Sequence, residues 1–339
     1  MKPLGARAIA GAAFVAAALV AGGASAQTAV KFGLDWKFEG PAAPYFVALD
    51  KGYYKAAGLD VTIDSGQGSV QGITRVAAGA YDIGFADINS LIKFRDQNPD
   101  KPLMAVAMMY DKPPFAIVTL KKMGIAKPKD LEGRILGAPA PDGAYAQWKA
   151  FVQANGIDAS KVTINNVGFP VREPMLASGD VHAITGFSFS SYFNLMQRGV
   201  AANDIVVMLM SDYGLELYGN ALMVNPDFAK ANPAAVKGFI AATIKGVRDT
   251  LADPAAANAA LMKRNETGDA KVELARLEMS LRDNFVTPWV KANGFGGVDM
   301  ARLSKSIDQI AVTYEFKSKP KAEDIFTDAF LPPMAERKL

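Results

Sequence analysis

Three short stretches carry residue types suited to recognition chemistry. Asp35-Trp36-Lys37-Phe38-Glu39-Gly40-Pro41 puts an indole and a phenyl ring in one turn after a strand pattern, with Tyr45 in the helix that follows. Rings in such a turn offer a flat apolar wall on which a planar molecule can stack. Gly66-Gln67-Gly68-Ser69 leads into a second helix. Its glycines let the backbone approach a ligand, and free N–H groups there suit an anionic or carbonyl oxygen. The Lys-Ser/Thr ending of a phosphate loop is absent, so this is not one. Ala138-Pro139-Ala140-Pro141-Asp142-Gly143-Ala144-Tyr145 contributes Asp142. Each has a structural alternative. Trp36 can plug a surface, the glycine turn can simply start a helix, and Asp142 can be a helix cap and nothing more.

Covalent and metal chemistry have little to work with. The chain holds no Cys and one His, His182. One His without Cys cannot build a usual zinc site. Neither a Gly-x-Ser-x-Gly elbow nor a Rossmann glycine fingerprint is present. In Val181-His182-Ala183-Ile184 the imidazole reads as a surface or edge-strand residue. A binding protein is expected rather than an enzyme, with no cofactor and no metal. With 37 basic and 34 acidic residues, the charge balance gives no reason to propose nucleic acid or an anionic membrane as partner.

The elements that must position these turns alternate. Val30 to Leu34 reads as a strand, Ala42 to Ala57 as a helix, Val61 to Ile63 as a strand and Val70 to Ala78 as a helix. Ile83 to Phe85 follows as a strand, then a helix that Asn89 can cap, then a strand from Leu103 to Met109. This alternation predicts an α/β fold with mostly parallel sheets. A weak repeat reinforces it. The unit from Lys51 to Phe85, with its Ala78-Gly79 stop, has a counterpart from Trp148 to Ile184, with its Ser178-Gly179 stop. Two lobes of similar topology are expected. From Ala229 to Arg282 the pattern is helical, including Ala235 to Leu251 and Lys271 to Asn284. The apolar end, Ile325 to Leu331, should dock rather than fray.

Residues 1–26 read as a cleaved secretory signal. Lys2 and Arg7 precede an apolar run, Ile9 to Val20, that closes on Ala24-Ser25-Ala26. The run is shorter than the roughly 20 residues that span a bilayer. Cleavage after Ala26 is expected to leave Gln27 first, in the periplasm.

The ordered set Leu34-Asp35-Trp36, Pro44-Tyr45-Phe46-Val47-Ala48, Lys51-Gly52-Tyr53-Tyr54 and Gly58-Leu59-Asp60-Val61 resembles one family. It continues in Asp82-Ile83-Gly84-Phe85-Ala86, Asp130-Leu131-Glu132-Gly133-Arg134 and Phe330-Leu331-Pro332. The chain resembles the substrate-binding proteins of ABC transporters, of the nitrate/sulfonate/taurine and thiamine-pyrimidine-precursor type. His182 departs from the pattern, where the family usually has Asp. The resemblance implies a type II periplasmic-binding-protein fold, two α/β lobes joined by two crossover strands that close by hinge motion. It places the crossovers near Tyr110 to Val118 and Gly214 to Val224. Lobe one is then 28–115 plus 221–339, and lobe two is 116–220. It implies a monomer that carries a small molecule to an ABC transporter permease in the inner membrane. An enzyme on the same fold makes a pyrimidine, but depends on a His- and Cys-containing iron site for which this chain lacks the residues.

Ligands in open α/β sheets bind beyond the carboxyl ends of strands. The candidate ligand residues on this basis are Trp36, Phe38, Tyr45, Gln67, Ser69 and Asp142. Asp87 and Asn89 join them after the strand at Phe85, Phe187 and Ser188 at the matching place in lobe two, and Tyr110, Glu216 and Tyr218 in the crossovers. In the pyrimidine-precursor branch an aromatic residue at the place of Trp36 stacks on the ligand. With Asp87, Asp142 and Glu216 in the cleft and few cations nearby, a neutral or amine-bearing planar ligand is expected. A sulfonate or taurine-type anion, which needs cationic or N–H donors, is the alternative.

Overall fold

The computed structural model describes residues 27–312 and 314–339. The signal expected over residues 1–26 lies outside the described residues. Among the described residues, ten strands form two sheets of identical order. The first sheet contains β1 (Thr28–Gly33), β2 (Leu59–Asp64), β3 (Ile83–Asp87) and β4 (Met104–Met108). The second contains β5 (Phe115–Leu120), β6 (Ile135–Gly137), β7 (Thr163–Asn165), β8 (Ala183–Phe187) and β9 (Ile205–Leu209). The chain then returns to the first sheet with β10 (Asn220–Val224). The orders are β2-β1-β3-β10-β4 and β7-β6-β8-β5-β9. In each, three strands run parallel, and a strand from across the molecule inserts antiparallel between the third and fourth. The repeat legible in the sequence is this shared topology, with β2 matching β7 and β3 matching β8.

Strand composition explains the placement. Every residue of β3, β5 and β10 is buried. Continuous apolar runs of this kind suit strands covered on both faces. The chain therefore crosses between sheets twice, through 109–114 and 210–219. The two passages are tied together. Met109 and Tyr110 donate backbone N–H bonds to the Asn220 carbonyl at 3.0 and 2.9 Å, and Gly219 donates to Tyr110 O at 3.0 Å.

Several local expectations need correction. The helix predicted from Ala42 to Ala57 is two helices, Ala43–Asp50 and Tyr53–Ala56, broken at Gly52, whose φ is 71°. Asn89 does not cap the next helix. Asp87 does, accepting from the N–H groups of Asn89 and Ser90, and the helix runs Ile88–Gln97. The segment predicted from Lys271 to Asn284 is a helix, Ala270–Ser280, that widens into a π-helical turn, Leu281–Phe285. The long helix Pro233–Ala252 stacks on the first sheet, where Phe239 meets Phe32 edge-on at 5.0 Å. The C-terminal segment docks: Ile325 and Phe326 are buried, and Thr327 N–H donates to Ala105 O at 3.0 Å.

Candidate ligand-binding cleft

The turns after β1, β2, β6 and β7 and the end of β8 converge between the sheets, at the carboxyl ends of the strands. They line two narrow chambers between the sheets. Asp35, Trp36, Phe187 and Ser190 line both, so the chambers are parts of one cleft. Tyr45 and Tyr110 complete the wall of the first. Gly68, Asp142, Phe169 and Arg172 complete the second.

Trp36 is half-buried and meets Phe169 edge-on, with ring centroids 4.5 Å apart. Its indole Nε1 and the Tyr45 hydroxyl are buried and have no hydrogen-bond partner. Buried donors are almost always paired, and both of these belong to residues of one cleft wall. Tyr45 cannot swing away to find a partner, because Phe32 at 5.0 Å and Phe85 at 5.8 Å hold its ring.

Apart from the exposed Lys37, the charged residues of the cleft are buried too. Asp35 accepts from Ser69 Oγ at 2.8 Å and from Asn220 Nδ2 at 2.7 Å. Burial pushes its carboxyl up to about 7, the two donors oppose this, and the charge of Asp87 adds to it. Asp142 accepts from Thr185 Oγ1 at 2.9 Å and lies 4.0 Å from Arg172. Burial raises its pKa, with the Arg172 charge opposing. Arg172, 2 % exposed, donates from Nε and Nη2 to Glu173 Oε1 at 3.0 and 2.6 Å. Burial works against its charge, but Glu173 and Asp142 outweigh that and hold its pKa above the ordinary value. Across the cleft mouth, Ser190 Oγ donates to Glu39 Oε2 at 2.7 Å, and Arg276 lies 3.3 Å from the same carboxylate.

Of the predicted site residues, Trp36, Tyr45, Ser69, Tyr110, Asp142 and Phe187 lie on the chamber walls. The others do not. Phe38 turns to the opposite side of its turn and packs edge-on against Phe46 at 5.0 Å. Gln67 faces solvent beside the two buried residues Gly68 and Ser69. Asp87 is consumed as a helix cap and by Gln147 Nε2 at 3.2 Å. Asn89 donates to Asp87 and to Tyr218 O, both at 2.7 Å. Ser188 is buried, and its N–H donates to Pro114 O at 2.8 Å. Glu216 is exposed, with its N–H donating to Gln309 Oε1 at 2.9 Å. Tyr218 is buried against Arg302, and its hydroxyl accepts from Asp299 N–H at 2.8 Å. His182 is part-buried, and its Nδ1 accepts from Ile135 N–H at 2.9 Å. Its role is to join β8 to β6.

The basic residues in the wall are Lys37 and Arg172. Asp35, Phe169, Arg172 and Ser190 are among the cleft residues that the sequence reading missed. The repeat carried a usable signal for two of them. Phe169 and Arg172 start the helix after β7, the counterpart of the Gly66–Ser69 turn after β2.

The model of the family described as NMT1/THI5 like matches residues 41–257. Among curated relatives, the riboflavin-binding protein RibY of Chloroflexus aurantiacus is 27% identical over 298 residues, covering 86% of this chain and 82% of its own. The formylaminopyrimidine-binding protein of Halalkalibacterium halodurans is 24% identical over 297 residues, covering 87% and 88%. Among solved structures, the alkanesulfonate-binding protein SsuA from Xanthomonas axonopodis pv. citri bound to MOPS superposes with a TM-score of 0.67 at 15% identity, over 91% of this chain and 99% of that one. The twice-crossed pair of sheets is thus a periplasmic-binding-protein fold, and the chain belongs to the NMT1/THI5-like family.

Proposed function

We propose that this protein is a periplasmic solute receptor that binds one flat, nitrogen-containing ring compound and hands it to an ABC importer. The observation that carries the reading is the shared wall of Trp36 and Phe187, in which two residues, Trp36 and Tyr45, each carry a buried donor without a partner. Aromatic faces select a planar ligand, and the two free donors select one with polar atoms at its edge. The two relatives named above bind, by their names, riboflavin and a formylaminopyrimidine, both flat nitrogen heterocycles. An alkanesulfonate suits this cleft less well. Its one buried cation, Arg172, is already matched by Glu173 and Asp142, and Asp35 and Glu39 add negative charge nearby. Export, a monomeric state and a permease partner belong to the same proposal.

Native mass spectrometry of the protein purified from the periplasm tests it. A co-purifying nitrogen heterocycle, released unchanged on denaturation, is the expected result. A bound aliphatic sulfonate overturns the flat-ligand reading. Conversion of an added heterocycle to a new product overturns the receptor reading.

A further inference from the structure

Asp35 follows β1 by two residues and is 5 % exposed, yet it borders both chambers. The bonds from Ser69 and Asn220 both end on Oδ2. Oδ1 receives no hydrogen bond from another residue. Ser69 sits at the start of the helix Ser69–Ala77, and Asn220 is the first residue of β10. The carboxylate is therefore clamped from two elements with one oxygen to spare. That oxygen has only the Asp35 backbone N–H at hand, so it can accept from a donor that arrives in the cleft. No cation already serves it. Lys37 is exposed, and Arg172 is committed to Glu173 and Asp142.

The geometry points to Asp35 as the residue that reads the ligand's edge, its Oδ1 accepting an N–H from a ring nitrogen or exocyclic amine of the bound heterocycle. This rests on the flat-ligand reading above and narrows it to rings that carry a donor. Trp36 covers the face, Asp35 takes the N–H, and the Tyr45 hydroxyl is left for the ring's acceptors. The pairing is neighbourly in the chain, since residues 35 and 36 present the edge and face contacts from one turn.

The placement has a pH consequence. The ionised carboxylate is the better acceptor, and a donor stabilises that form. Affinity is therefore full above the Asp35 pKa of about 7 and falls as the pH drops through it. Between pH 8 and pH 6 the ionised fraction of such a group falls about tenfold, and binding weakens with it. Other groups surround Asp35: the carboxyls of Glu39, Asp87 and Asp142, the hydroxyls of Tyr45 and Tyr110, and the cations Lys37 and Arg172. Burial raises Asp87 and Asp142 as well. Assigning the pH dependence to Asp35 therefore needs the isosteric substitution Asp35→Asn.

The test uses two probe pairs: riboflavin with 3-methylriboflavin, and 4-amino-2-methylpyrimidine with 2,4-dimethylpyrimidine. In each pair a methyl group removes the N–H donor while the ring stays flat. Titration calorimetry at pH 8 should show the donor-bearing member of any pair that binds to be about tenfold tighter or more. That member should weaken about tenfold at pH 6, and Asp35→Asn should bind it more weakly with no pH slope between 6 and 8. If Asp35→Asn does not fold, the wild-type comparison within each pair and its pH profile decide the matter. Equal binding within a pair overturns the assignment of Asp35 and leaves the flat-ligand reading standing. A pH slope that persists in a folded Asp35→Asn also overturns it. Binding of none of the four probes overturns both.

Discussion

Trp36 is the one large aromatic residue of the first turn that borders both chambers, and its Nε1 has no partner. Stacking a ring on an indole contributes about 1–3 kcal/mol. Trp36→Ala should therefore weaken ligand binding by about 5- to 150-fold, at 1.4 kcal/mol per tenfold. Trp36→Phe should keep most of the affinity, losing only the Nε1 donor. Titration calorimetry on both variants reads this, with melting curves to show that both remain folded. Normal binding by Trp36→Ala would remove the stacking wall from the account. At this scale the sequence was half legible. An aromatic in a strand-to-helix turn announced itself, and so did Ser69 and Asp142. What the sequence did not show was which neighbours in a turn face inward. Trp36 and Phe38 are two residues apart, yet one lines the cleft and the other packs on Phe46. Asp35 read as an ordinary polar turn residue because nothing local shows that Asn220 would come to it from the far end of the chain.

The strands β1 to β4 were legible as short apolar runs, whereas β5 and β10, which pair antiparallel with their neighbours, were placed only as crossovers and β9 was not read. Helix boundaries were less legible. The choice between Asp87 and Asn89 as cap turned on two residues, and both are polar enough to serve. Between elements the most exacting position is Gly68. Its φ is 106°, and a Cβ there would lie 2.5 Å from Pro141 O, across the cleft. The strain of the positive φ acts whenever the turn is formed, but the collision acts only when the two turns meet. Gly68→Ala should accordingly lower the melting temperature by a few degrees, as expected for about 1 kcal/mol. It should weaken ligand binding more, by about tenfold or greater, because the turns can no longer approach. Denaturation and calorimetry on the same variant separate the two effects. A loss of stability with unchanged affinity would show that Gly68 and Pro141 need not touch for binding.

The two sheets face each other across contacts that neither sheet makes alone. Gln147 reaches Asp87, Ser190 reaches Glu39, and Arg276 Nη2 donates to Asn194 Oδ1 at 2.8 Å. Only two short passages connect the sheets, and they are bonded to each other at Tyr110, Gly219 and Asn220. Such a molecule should move as two lobes about those passages, the ligand holding them together. Small-angle scattering should then give a smaller radius of gyration with ligand than without it. The Arg276–Asn194 bond makes the sharper test. Arg276 is 1 % exposed and salt-bridged to Glu273 at 2.6 Å on its own helix, so it stays in place whether or not Asn194 is near. Asn194 rides on the helix Ser188–Gln197 of the second sheet. A hydrogen bond to a charged group is worth about 1.5–3 kcal/mol. On this two-lobe motion the bond belongs to the closed state, so Asn194→Ala should weaken binding by about tenfold or more through faster dissociation, with association little changed. The melting temperature of the ligand-free protein should hardly move. Stopped-flow measurement of both rates decides it: slower association with unchanged dissociation would mean that Asn194 shapes the open cleft and does not latch the closed one.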